Sequence, residues 1–381
     1  MLPEDTNPDQ GFRYIDIGAV GRGCLISEPT AMTFDEAPSR ARRIVADGDT
    51  VVSTVRTYLR AVWPVQPPTE GLVVSTGFAV ISPRGELDPR FFGWFAQSDP
   101  FIEKIVARSV GVSYPGVRPE EIGDVSVPVY PLPTQRAIAD FLDTETARID
   151  ALIEKKQRIV SLMEERFFAA LETEMSKTEA PLVPLRRLAR FIDYRGATPE
   201  KAPEGVPLVT AANVKNGRID LEAEPQFLSP SVYSEWMRRG FPKPGDVLMT
   251  TEAPLGEVAQ VDDPMIGLAQ RVILLQIDAE RVNSTYLAFA LRAASFQADL
   301  ARHATGSTAA GIKAERLKGL PLPVPSLLRQ SEVVLRLSEL SACVERLNAH
   351  LLQQVRLLRE HREALITAAV TGELAVAWAL A

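Results

Sequence analysis

Cysteine is nearly absent from this chain. Its two cysteines, Cys24 and Cys343, lie far apart in different kinds of segment. That excludes a disulfide framework and fits free thiols in a reducing cytoplasm. Histidine is almost as scarce. His303, His350 and His361 lack metal-ligand spacing, and the last two sit among charged helical neighbours. There is no Gly-x-x-x-x-Gly-Lys-[Ser/Thr], no Gly-x-Gly-x-x-Gly, no Gly-x-Ser-x-Gly elbow and no Asn/Asp-Pro-Pro-Tyr/Phe. Glu154-Lys155 echoes part of a nuclease Glu-x-Lys but falls within a helical stretch, where it reads as surface charge. No apolar run reaches the length of a membrane span. Met1-Leu2-Pro3-Glu4-Asp5 has neither the basic nor the apolar region of a signal peptide. The expectation is a cytoplasmic protein with no catalytic residues, metal site or cofactor of its own and no membrane partner.

What the chain does contain is a long repeat. Gly111-Val-Ser-Tyr-Pro-Gly-Val-Arg118 returns 195 residues later (111 to 306) as Gly306-Ser-Thr-Ala-Ala-Gly-Ile-Lys313. The register then holds. Pro128-Val129 and Gln135 match Pro323-Val324 and Gln330, and Ile138, Leu142, Ile149 and Leu152 match Val333, Leu337, Val344 and Leu347. Upstream it drifts slightly, with Gly48-Asp49 answering Gly245-Asp246 and Tyr14-Ile15 answering Leu208-Val209. This is a domain plus a helix, duplicated, and far larger than a solenoid unit. A hydrophobic content of 46% and a charged content of 24% are ordinary for a globular protein with two cores.

Four segments follow. Residues 1–128 and 181–324 carry short β-like runs broken by Gly and Pro, such as Thr50-Val51-Val52-Ser53, Phe78-Ala79-Val80-Ile81 and Val272-Ile273-Leu274-Leu275. Each includes a helical stretch, Pro89–Val106 and Tyr286–Ala301. Residues 129–180 and 325–381 are helical spacers, the first opening at Thr134 as N-cap and the second stopping at Gly372. Their apolar spacing predicts an antiparallel coiled coil with Leu142, Ile149 and Leu152 facing Leu337, Val344 and Leu347. The fold class is therefore α+β: two β-rich domains joined by two long helices. In the repeat register, residues 184–204 have no counterpart ahead of the first domain, so its N-terminal part is expected to be missing or supplied from elsewhere.

The net charge of −7 runs against a uniformly basic nucleic-acid binder, but positive charge is gathered locally, for example at Arg56 and Arg60 and at Lys313, Arg316 and Lys318. Two loop pairs are the contact candidates. Gly111, Ser113, Tyr114 and Arg118 in the first half, with Gly306, Ser307, Thr308 and Lys313 in the second, offer backbone N–H groups, hydroxyls and cations suited to phosphate. A polar structural turn is the competing reading. Arg56, Tyr58 and Arg60 could read or stack on bases, whereas the matching Thr251-Glu252 segment has no Arg, so the halves would read different sequences.

The pattern resembles the specificity subunit of type I restriction-modification systems. The most specific stretch is Pro131-Leu-Pro-Thr-Gln-Arg-Ala-Ile-Ala-Asp-Phe-Leu-Asp-Thr-Glu-Thr-Ala-Arg-Ile-Asp-Ala-Leu-Ile-Glu-Lys-Lys156, similar to the start of that family's central helical region. Ala304–Thr308 with Leu320–Val324 resembles the end of a target-recognition domain. Ala364–Leu374 resembles the family's C-terminal ending, and Arg195–Pro199 the opening of a second recognition domain. The resemblance implies that each domain binds one half of a split, asymmetric site on double-stranded DNA. It also implies that the helices space the domains and dock two methyltransferase subunits carrying S-adenosylmethionine, and that a restriction translocase-nuclease subunit joins the complex. From another class, a coiled-coil scaffold or assembly adaptor without a nucleic-acid role stays open.

Overall fold

The computed structural model describes residues 1–177, 180–194, 199–306 and 310–374. The chain divides into two compact units, 1–157 with 351–381 and 158–350. Each takes one β-rich domain and a portion of both long helices.

In the first unit the strands are β1 (Gly11–Ile15), β2 (Thr30–Thr33), β3 (Ala41–Ile44), β4 (Thr50–Ser53), β5 (Val62–Pro64), β6 (Leu72–Ser75) and β7 (Phe78–Ile81). They form two sheets, β2-β1-β6-β3 and β5-β4-β7. Central β4 is buried along its whole length, as its β-branched Thr-Val-Val suits. Helices α1 (Pro89–Phe95), α2 (Asp99–Arg108) and α3 (Pro119–Gly123) follow, then α4 (Leu132–Ser176). The expected single helix over Pro89–Val106 is thus two. Ser98, whose hydroxyl donates to the Phe95 carbonyl, precedes Pro100 in the first turn of α2, and the chain breaks there. Thr134 is not the cap of α4 but lies in its first turn. Pro131 and Pro133 flank the start, and proline is tolerated where the N–H has no helical partner.

The second unit adds β8 (Leu182–Pro184), β9 (Ala189–Asp193), β10 (Lys201–Ala202), β11 (Val206–Val209), β12 (Val214–Lys215), β13 (Arg218–Ile219) and β14 (Phe227–Leu228). After α5 (Pro230–Trp236) come β15 (Val247–Thr251), β16 (Leu255–Gln260), β17 (Gly267–Leu268) and β18 (Val272–Ile277). Then α6 (Ser284–Arg292), α7 (Ala294–His303), α8 (Ala314–Gly319), β19 (Pro321–Pro323) and α9 (Leu327–Thr371) complete the order. The expected Tyr286–Ala301 helix is also split, at the extended Ala293. The main sheets are β10-β14-β11-β17 and β16-β15-β18-β9.

The two units repeat one design. β1 runs parallel to β6 with Tyr14 and Ile15 opposite Val73 and Val74, while β11 runs parallel to β17 with Leu208 and Val209 opposite Gly267 and Leu268. β4 and β15 are the matching central strands. They differ where the repeat register breaks. β9 extends the β15 sheet and β8 pairs with β19, and neither has a counterpart among the described residues of the first unit.

A buried glutamine ties each domain to its helix. Gln135, 0% exposed, accepts from Asp88 N at 2.8 Å and donates to the Glu86 and Tyr130 carbonyls at 2.7 Å each. Gln330, also 0% exposed, accepts from Asn283 N at 2.6 Å and donates to the Arg281 and Pro325 carbonyls at 3.3 and 2.8 Å. Asp88 and Asn283 are themselves the side-chain caps of α1 and α6.

The long helices pair antiparallel within each unit. In the first, Ile149 and Ile153 pack with Val355, Leu358 and Leu365. Lys156 donates to Gln354 at 2.5 Å, and Arg362 pairs with Asp150 at 3.1 Å. In the second, Phe167, Leu171 and Met175 share a core with Val333, Leu337 and Val344. The expected facing of Leu142, Ile149 and Leu152 with Leu337, Val344 and Leu347 does not occur. In an antiparallel pair repeat-equivalent residues meet only near the midpoint, close to Lys156 and Gln354, and these six lie to either side of it. Leu142 packs with Ile366, Ala369 and Val370 instead, and Leu152 and Leu347 are exposed.

Candidate nucleic-acid interface

In the first unit the chain leaves β4 and is fastened to the loop preceding α3. Val55 bridges Gly116, Arg56 N donates to the Pro115 carbonyl at 2.7 Å, and Val117 N donates to the Thr54 carbonyl at 2.9 Å. Arg56 is then forced left-handed, with φ of 51°. A non-glycine residue in that region is uncommon and is held only where surrounding bonds over-determine it. Its guanidinium lies 4.3 Å from the centroid of the exposed Tyr114 ring. The stack leaves the donor fork without a hydrogen-bonding partner among the described residues. Arg60, also left-handed, pairs with Asp99 at 2.5 Å, and Tyr58 is exposed beside it. Gly111 takes φ of 120°, exposed Ser113 follows, and Arg118 heads α3 with Glu121 at 3.0 Å, a bond that raises the Arg118 pKa further.

The second unit builds the same junction from other side chains. Glu252 bridges Gly311, and Ile312 N donates to the Thr251 carbonyl at 3.0 Å. The next residue, Ala253, has φ of 46°. The left-handed position is therefore kept while its side chain changes from Arg to Ala. Gly306 has φ of 123°, close to its repeat mate Gly111. Thr251 is buried, its hydroxyl donating to the Arg271 carbonyl at 3.3 Å, so it fixes the loop's base. Glu252 is half-buried, and Lys313 stands exposed at the head of α8. Ser307 and Thr308 lie outside the described residues, as do Arg195–Thr198 of the Arg195–Pro199 stretch.

The structure thus brings Arg56, Tyr114 and the Gly111 loop together in one unit, and Thr251, Glu252, Gly306 and Lys313 in the other. Sequence reasoning passed over Gln226, Gln270 and Arg271, which line one concavity beside Ala253. No motif links them, because Gln226 precedes β14 and Gln270-Arg271 follow β17, strands that meet only through their shared neighbour β11. Among the described residues there is no group of three or more His, Cys, Asp or Glu placed to hold a metal, and no helix long and apolar enough to cross a membrane.

Comparison with known proteins bears on this duplicated arrangement. Residues 202–357 match the type I restriction modification DNA specificity domain. The EcoKI type I restriction enzyme specificity subunit of Escherichia coli K12 is 22% identical over 78% of this chain and 68% of its own length. The EcoBI specificity subunit of Escherichia coli is 20% identical over 73% of this chain and 64% of its own. The chain spans about two-thirds of the length of those curated relatives. The fold is shared with a solved chain from work on complex assembly and conformational transition of the type I R-M system. That chain is 22% identical, with a TM-score of 0.72 over 96% of this chain and 93% of the other.

Proposed function

We propose that this chain is the DNA sequence-recognition subunit of a type I restriction-modification complex, with no catalytic activity of its own. It binds a bipartite, asymmetric site on double-stranded DNA. Residues 1–128 read one block and 181–324 the other, with 129–180 and 325–381 as spacers. It docks two methyltransferase subunits and a restriction translocase-nuclease subunit in the cytoplasm.

One observation carries the reading. The same strained junction recurs in both domains, with its backbone preserved and its side chains replaced, Arg56 by Ala253. A scaffold has no need to keep such a loop while changing its chemistry. A pair of DNA readers with different targets does. In this reading Arg56, stacked on Tyr114, reads a base edge, with Tyr58 and the Asp99-tethered Arg60 beside it. Glu252 accepts from a base amine above Thr251. Gly111, Ser113 and Arg118, and Gly306, Ser307, Thr308 and Lys313, contact phosphates.

The test is co-expression with a type I methyltransferase subunit, followed by long-read mapping of modified adenines. Two short blocks with a fixed gap are expected. Exchanging residues 184–320 with a relative's should change one block only. A continuous palindrome, or no DNA dependence at all, would refute the reading, and the latter would favour the scaffold.

A further inference from the structure

We infer that the concavity beside Ala253 reads base edges of the second block, with Gln226, Gln270 and Arg271 as its specificity-determining side chains. This rests on the DNA-reading function proposed above and names the residues by which the second domain carries it out.

The concavity measures about 350 Å³ and is open to solvent. Lys201, Glu224, Gln226, Ala253, Gln270 and Arg271 line it. Arg56 occupies the left-handed position in the first unit, and Ala253 occupies it here. A methyl group in place of a long side chain leaves room at this mouth.

The lining decides what enters. A phosphate cradle presents donors only. Here a carboxylate and two amides share the rim with two cations, so donors and acceptors are mixed, as they are along a base-pair edge in the major groove. The side chains of Gln226, Gln270 and Arg271 have no hydrogen-bonding partner among the described residues, and Arg271 is exposed. Primary amides match adenine N6 and N7, and a guanidinium fork matches guanine O6 and N7.

The site is also held in place. The Arg271 carbonyl accepts from Thr251 N at 2.9 Å and from its hydroxyl at 3.3 Å, which ties the β17–β18 turn to the Glu252 loop. The Gln226 carbonyl accepts from Leu208 N at 2.8 Å. These anchors are main-chain groups on the lining residues, so replacing the side chains leaves them intact. In the first unit Thr76-Gly77 stand where the second has Gln270-Arg271, and the Gly77 carbonyl accepts from Thr54 N at 2.9 Å and from its hydroxyl at 2.8 Å as the Arg271 carbonyl does from Thr251. The two readers share the length of this turn and differ in its chemistry, Thr-Gly against Gln-Arg.

The experiment uses the full chain with its methyltransferase and compares methylomes of the wild type, Gln270→Glu and Arg271→Lys. Gln270→Glu preserves shape and removes both amide donors. Arg271→Lys preserves charge and removes the fork. Each should leave the first block intact and relax or change one position of the second, with about 5- to 150-fold loss of discrimination there. If the wild type methylates a bipartite site and both variants keep the second block unchanged, the inference fails and the DNA-reading function stands. Uniformly lower methylation with unchanged sequence would place the concavity on the DNA backbone and also overturn it. A wild type without bipartite methylation overturns both.

Discussion

Replacing Gln330 by methionine tests how each domain is fastened to its helix. Methionine keeps the length and flexibility of the side chain but supplies none of its three hydrogen bonds. Asn283 N and the Arg281 and Pro325 carbonyls would lose their partner, and the side chain is fully buried. A typical internal hydrogen bond is worth about 0.5–1.5 kcal/mol, and an unsatisfied buried group costs about 1–3 kcal/mol. Pro325 and Arg281 retain a second lone pair each, so the expected loss is about 2–4 kcal/mol, chiefly from Asn283 N. Gln330→Glu should cost more, since its carboxylate would face two carbonyls. The assay is native-state hydrogen exchange, read at Asn283 and along α6. Protection there should fall roughly 30- to 1000-fold. Gln135→Met should do the same at Asp88 and α1, and the double mutant should be additive because the two amides share no partner. A change under about 1 kcal/mol in both single variants would show that the amides do not close these junctions.

Arg56→Lys and Tyr114→Leu should each relax one position of the first block and leave the second unchanged, read by methylome mapping. Loss of both blocks in a folded variant would refute the separation of the readers. Lys313→Ala should weaken binding to every duplex alike and lower the salt slope by about 0.9 in log–log units. A shifted target sequence would place Lys313 in a groove. Seven residues inserted after Gln157 and again after His350 keep the helical stripe in phase and add about 10 Å. The gap between blocks should then widen by at most about 3 base pairs. An active insertion variant with an unchanged gap would assign the helices to docking alone.

The duplication was legible because it rests on residues that cannot be exchanged. Gly111 and Gly306 share a left-handed φ, and Gln135 and Gln330 share a buried clamp. The long helices were legible from their apolar spacing. Their facing was not, since the spacing marks which residues are apolar and says nothing of which partner each meets. Leu142 and Leu337 match in sequence, and for that reason antiparallel pairing sends them to different cores. Pro100 marks the break between α1 and α2 in the sequence, whereas the break at Ala293 has no local signal. Gln226, Gln270 and Arg271 were beyond reach because sheet order, not spacing, assembles them.

The end of α9 completes the first core. Ile366, Ala369 and Val370 lie among Phe91, Phe95, Phe101 and Ile105. At the same place in the second unit, Leu171 and Met175 come from α4. During synthesis, then, the second core has every segment it needs once α9 has been made as far as Val344. The first must wait with an open apolar face until residue 370 has left the ribosome. The domain translated first is the one finished last, and a chain released early would expose aromatic surface at its N-terminal half.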